Sequence, residues 1–133
     1  MRTSVYKKSK SVMALTSGAR VNGTVNGTTV DRFQSTGPEY RTLMFVITTG
    51  VITDGSHAFT VQDSDDGTTW GSAAASDVQG TAPTVLSAND DTVFDVGYTG
   101  AKRYARLQVV TSGATTGGIF SAAAVLYGTR RDR

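Results

Sequence analysis

Few side chains in this 133-residue sequence have the type and spacing that bond-making chemistry needs. His57 is the only histidine. As a general base it would need a hydroxyl nucleophile on one ring nitrogen and an orienting carboxylate on the other. No Ser–Asp partnership with His57 can be read from the spacing, and it stands at the start of a predicted strand, so a structural role is preferred. Asp63, Asp65 and Asp66 precede Gly67, and grouped carboxylates are what a hard cation takes. The run D-x-D-D-G departs from the calcium-loop pattern D-x-[DN]-x-[DN]-G, and no Glu closes it. Aspartate is equally at home in a tight turn, and the turn is adopted. A weak Ca²⁺ site shared with Asp90 and Asp91 stays open as the alternative. Gly113 and Gly117-Gly118 lack the following Lys-Ser/Thr of a phosphate loop. Without cysteine there is no thiolate ligand and no disulfide. No catalytic residue, metal or cofactor is assigned, and an enzyme is not expected.

Binding is better supplied. Tyr104 and Arg106 share the polar face of a predicted strand and could stack a sugar ring or a base, or enter a protein interface, where both types are enriched. Lys102, Arg103 and Arg106 make only a modest basic patch, so no specific nucleic acid is expected. Charge is uneven along the chain. The net charge is +2, yet residues 1–30 hold Arg2, Lys7, Lys8, Lys10 and Arg20 and no acid. Residues 130–133, Arg-Arg-Asp-Arg, add two more, so the ends carry +7 and residues 31–129 carry −5. Basic ends on an acidic body suit an anionic partner surface. Val5, Tyr6 and the run from Val12 to Leu15 are apolar islands among these charges, and Val12 to Leu15 could add a strand to the domain or to a neighbour.

The elements that must position these residues are strands. Gly, Thr, Ser and Val are abundant, Glu and Lys scarce, and 133 residues make about one domain. From His57 to Trp70 the pattern is strand, turn, strand: Phe59 and Val61 alternate with Thr60 and Gln62, Ser64-Asp65-Asp66-Gly67 is turn chemistry, and Trp70 offers a large body to a core. Leu43, Phe45 and Ile47 share one face of residues 40–53, while Tyr40, Met44 and Val46 tend to the other, as in a central strand covered on both sides or by a partner. Phe94, Val96 and Tyr98 alternate, as do Ala105, Leu107 and Val109. A last strand runs from Ile119 to Tyr127, with Ala122, Ala123 and Ala124 permitting close packing. Asn22-Gly23 and Asn26-Gly27 each signal a hairpin turn. Residues 71–91 are loop-rich; Ala73-Ala74-Ala75 suits one helical turn, and Thr84-Val85-Leu86 a short strand. About eight strands at this spacing make a sandwich or barrel. No apolar run nears the ~20 residues of a membrane span, and no secretory leader is expected after the basic start.

Two resemblances add to this. The run Ser64-Asp65-Asp66-Gly67-Thr68-Thr69-Trp70, followed by Arg103-Tyr104-Ala105-Arg106-Leu107, resembles the discoidin or coagulation-factor C-domain pattern, a jelly-roll family that binds sugars or lipids. The paired cysteines of that family are missing. Further stretches, Gly50 to His57, Asn89 to Val93, Gly97 to Tyr104 and the alanine-rich last strand, resemble small capsid cement (decoration) proteins of tailed phages. That resemblance implies a β-rich, non-catalytic protein seated on a shell of coat subunits.

These readings predict an all-β chain, an antiparallel jelly-roll-like sandwich of about eight strands. Residues 1–17 are an extended basic arm, 18–128 the sandwich and 129–133 a basic tail. Phe45, Phe59, Val61, Phe94, Leu107, Val109, Val125 and Trp70 are expected inside. The expected function is stabilisation of a phage capsid from outside, with the major capsid protein as partner, and the virion capsid surface as location. A homodimer is expected ahead of a trimer, and no membrane partner. Partner contacts are placed on Tyr6, Lys7, Lys8, Lys10, Val12, Met13, Leu15, Tyr104, Arg106, Arg130 and Arg131. The alternative is a carbohydrate-binding sandwich module.

Overall fold

A computed structural model describes residues 4–33 and 40–128. One helical turn, α1 (Val5–Lys8), leads into strand β1 (Ser9–Arg20). There follow β2 (Gly23–Asn26), β3 (Val30–Asp31), β4 (Thr42–Ile52), β5 (Ser56–Ser64), β6 (Gly71–Ser72), β7 (Val78–Gln79), β8 (Thr84–Val85), β9 (Val93–Tyr98), β10 (Tyr104–Ser112) and β11 (Gly118–Tyr127). Sheet A has the order β1-β11-β4-β9-β7, and sheet B the order β2-β10-β5-β6, with β3 beside β10 and β8 beside β5. Every pairing is antiparallel. Interleaving early strands with late ones in two facing sheets is jelly-roll winding.

The alternation in the sequence sets the layers. On β4, Leu43, Phe45 and Ile47 point inward; on β10, Ala105, Leu107 and Val109; on β11, Phe120, Ala122, Ala124 and Leu126. The small alanines let the sheets approach, and the Phe120 ring packs edge-on against Phe59 and His57, with centroids 5.4 and 5.1 Å apart. Five of the expected core residues are buried: Phe45, Phe59, Val61, Leu107 and Val109. Phe94 is only partly buried, packed on the core from the β9 side. Val125 is a correction. It lies between the buried Ala124 and Leu126, so its side chain faces outward and is half exposed.

Three other expectations change. The arm assigned to residues 1–17 is, from Ser9 on, the edge strand of sheet A, paired along β11 with two register shifts. Ala14 and Leu15 are buried there, because an apolar pair at a bulge can turn both side chains toward the core. The two Asn-Gly steps are not hairpins: β1 and β2 lie in different sheets. Gly23 takes φ +138° where the chain crosses over. Gly27 passes so close to the Ala14 carbonyl that a Cβ would overlap it, and its N–H donates to Leu107 O at 2.7 Å. The β5–β6 hairpin exists, but its return strand is two residues long, and the helical turn expected at Ala73 to Ala75 is a 3₁₀ turn at Ala75–Asp77.

Each end of the sandwich is fastened by polar groups. At one end the Asp54 carboxylate accepts from the backbone N–H groups of Thr115, Thr116 and Gly117 at 2.6–3.2 Å, which binds the β4–β5 turn to the β10–β11 loop. Those three donors, Gly117 foremost, hold its carboxyl below the usual range. Gly117 has φ +84°, and a Cβ there would run into the Arg20 carbonyl. At the other end the buried Arg32 guanidinium donates to the carbonyls of Lys102, Tyr40 and Arg41.

Candidate partner-binding surfaces

The outward faces of the two sheets differ in chemistry. On sheet A the outward side chains form cross-strand rows. One row is Met13, Ala123, Val46 and Asp95; the next is Ser11, Val125, Met44, Gly97 and Gln79. Met13 is 56%, Tyr127 46% and Met44 37% exposed. A groove of about 590 Å³ runs over Met44 and Val125, with Val5 and Tyr127 on one side and Gln79, Gly80 and Asp95 on the other. Gly97 leaves this floor low; a Cβ there would meet the Gln79 side chain at 3.0 Å. Charge is graded across the sheet. The β1 side brings Lys7 and Lys8 on the α1 turn and no acid, while Lys10 and Arg20 lie on the inward parity of β1, Arg20 over the Phe120 ring; β11 and β4 bring no charge, and residues 71–101 bring Asp77, Asp90, Asp91 and Asp95 and no base.

Sheet B shows a polar outer face with an aromatic rim. Arg106 lies over the Trp70 ring, 4.3 Å from its centroid, and its Nε donates to Gln62 Oε1 at 2.8 Å. That cover of ring and sheet pushes the guanidinium pKa down by desolvation. Gln108 donates to Asn26 in the next row at 3.0 Å. Arg103 grips Asp31 with two bonds of 2.9 Å, lies between the Phe33 and Tyr104 rings, and is held protonated by that carboxylate. The same bidentate bond is the main cause that lowers the Asp31 pKa. Trp70 therefore leaves the core: the chain reaches it before re-entering sheet B at Gly71, and its ring lies on the face that Arg106 occupies.

The residues singled out for partner contact divide accordingly. Tyr6 and Lys7 are exposed on α1, Lys8 and Lys10 half exposed, and Met13 is exposed on the outer face of sheet A. Val12 is partly buried against the core, and Leu15, 2% exposed inside it, offers nothing to a partner. Tyr104 and Arg106 sit together on sheet B, on the opposite face of the molecule. Arg130 and Arg131 lie outside the described residues.

The candidate reactive groups serve the fold. His57 is buried, with Nδ1 2.8 Å from Thr111 Oγ1 and Nε2 3.1 Å from Asp54 O. Asp63 points into the sandwich, accepts from Tyr98 Oη at 2.8 Å and lies 3.7 Å from Lys102 Nζ. Asp66 caps its own turn, accepting from Thr68 N, Thr69 N and Ser64 Oγ, and those donors hold its carboxyl far below the usual range. Asp90, in the loop before β9, accepts from Ile52 N at the end of β4. Among the described residues no three His, Cys, Asp or Glu side chains come together as a cation site.

Sequence reasoning missed the Asp54 clamp, the Arg32 tie and the outward place of Trp70. Asp54 and Arg32 act on backbone groups distant in sequence, which no local pattern announces. Asp95 had a signal: it is the outward position between Val96 and Phe94 on an alternating strand.

No family model matches the chain, and no curated protein matches it in sequence. Among solved structures it is similar to the PBSX exported protein XepA, with a TM-score of 0.62 at 14% identity. The alignment covers 100% of this chain and 42% of that one, so the chain spans under half of its structural neighbour. At this identity the likeness concerns the fold.

Proposed function

We propose that the protein is a structural component of a phage particle, bound to the outside of the capsid, where it stabilises contacts between major coat subunits. The observation that carries this reading is the pair of contact-ready outer faces on a closed jelly roll whose His57, Asp54, Asp63 and Asp66 are all engaged in holding the fold. Its likeness to a phage protein, XepA, over the whole chain agrees with it. Interfaces draw on Tyr, Trp, Arg and Met, the residues gathered here at Trp70, Tyr104, Arg106, Met13 and Met44. Each copy can add only a modest contact, but many copies on a lattice act together. No reaction is assigned to the chain. The test is the copy number on purified particles and the temperature at which they release DNA, for the wild-type chain and for Arg106→Glu and Met44→Asp. At least one substitution should lower both. Particles that never carry the protein would end this reading.

Binding of carbohydrate is the second reading, and one observation favours it. Trp70 lies on the outer face of sheet B beside Arg106 and Gln62, an aromatic plate next to planar hydrogen-bonding groups. A glycan array with Trp70→Ala as control decides: hits lost in the variant establish this reading, and a blank array removes it.

A further inference from the structure

The outer face of sheet A has a pattern that complements itself. Across the sheet it runs basic at the α1 turn beside the β1 edge, neutral and apolar over β11 and β4, and acidic at the β9–β7 edge. Turn a second copy by half a revolution about an axis parallel to the strands and lay it face to face on the first. Its β1 edge then lies over the first copy's β7 edge, and the reverse contact forms at the other side. The apolar middle of each sheet meets the apolar middle of the other. We infer that two copies of this chain dimerise in this way, through the outer face of sheet A.

Three observations support this occupant. Charge complementarity is met twice by one rotation: Lys7 and Lys8 of each copy, on the α1 turn whose Val5 lines the groove, face Asp77 and Asp95 of the other. A patch that matches itself under a two-fold closes at two copies. The groove over Met44 and Val125, about 590 Å³, offers room for apolar side chains from above, and sheets of a sandwich pack about 10 Å apart when such side chains interdigitate. Edge-to-edge pairing of β1 is the weaker route. The strand has two register shifts and Lys10 on it, both devices that protect an edge, and Ala14 O already accepts from Thr28 N at 2.8 Å. The inference stands apart from the capsid reading, since it concerns the purified chain alone.

Sedimentation velocity of the full chain over a range of concentrations tests it. A species of twice 13.9 kDa is expected, weakening as salt screens the rim charges. Lys7→Glu with Lys8→Glu, and separately Asp77→Lys with Asp95→Lys, should each weaken self-association about tenfold or more. An equimolar mixture of the two variants should restore it, because each then meets opposite charge at both edges. Met44→Asp, at the centre of the contact, should abolish it while circular dichroism keeps its β signature. Zero-length cross-linking of isotopically mixed chains should join Lys7 or Lys8 of one copy to Asp77 or Asp95 of the other. A monomer at millimolar concentration would overturn the proposal, as would association indifferent to all three variants, or growth beyond two copies. A monomer that still occupies particles would overturn the dimer and leave the capsid reading intact.

Discussion

Tyr98 is fully buried and donates to Asp63 at 2.8 Å, which leaves the carboxylate dependent on that hydroxyl and on Lys102. Removing the hydroxyl in Tyr98→Phe strands part of a buried charge. The expected cost is about 1.5–3 kcal/mol, read as a lower midpoint in urea unfolding. Burial, and then the Asp63 bond, push the Tyr98 phenol well above its ordinary pKa of 10.0. The unfolded chain would lose that proton first as the solution turns alkaline. The stability tied to Tyr98 is therefore complete below pH 10 and declines above it, and Tyr98→Phe should flatten that decline. Asp54 works in the opposite sense. Backbone donors from Gly117, Thr116 and Thr115 lower its pKa in the folded chain, so its stabilisation is present above the normal carboxylate range and is lost as pH falls through and below about 4. Asp54→Asn should reduce the loss of melting temperature between pH 5 and 2; an unchanged acid slope would show that the clamp does not titrate.

At the scale of elements, β1 decides how the N-terminal region can be dissected. Val12, Ala14 and Leu15 pack on the core, and the strand pairs with β11 from Ser9 to Arg20. Deleting residues 1–8 should leave the melting temperature within a few degrees. Deleting 1–17 should unfold the domain, because it strips β11 of a neighbour and empties the site of Leu15, a buried leucine whose loss alone costs about 2–5 kcal/mol. Circular dichroism and thermal melts separate the two outcomes. The same strand shows what could be read from sequence. Long alternating strands were legible: Phe45, Phe59, Leu107 and Val109 fall where a period of two puts them. The apolar run Val12 to Leu15 is compatible with a strand of the domain or of a neighbour, and the basic residues around it do not decide between them, because an edge tolerates lysine at its rim. Val125 is apolar, which suggests core, but its place next to the buried Leu126 on an alternating strand points it outward. Asn-Gly signals a turn but not its destination: turn chemistry is local, whereas the choice between turning back and crossing to the other sheet is made by the whole fold. On the candidate surfaces, Tyr104 and Arg106 were legible from their parity, while Trp70 was not, since it precedes a strand of only two residues.

For the whole molecule, the feature that governs behaviour is that nearly all strand partners are far apart in sequence. Among the described pairings, β5 and β6 are the only strands consecutive in the chain that bond to each other. Each other pairing must close a long loop before any contact rewards it, so folding should be slow for the size, in milliseconds to seconds. Stopped-flow Trp70 fluorescence checks this, and a microsecond rate would contradict it. A further consequence concerns a chain still being made on a ribosome. β11 is the last strand to appear, and it inserts between β1 and β4, the two longest strands of sheet A. Until residues 118–127 emerge, β1 has no sheet partner, and the inward Leu43, Phe45 and Ile47 of β4 lack their neighbours on that side. Until those residues emerge the apolar half of the sandwich stays open to solvent, and a holding chaperone that protects the nascent chain over that interval should raise the yield of folded protein.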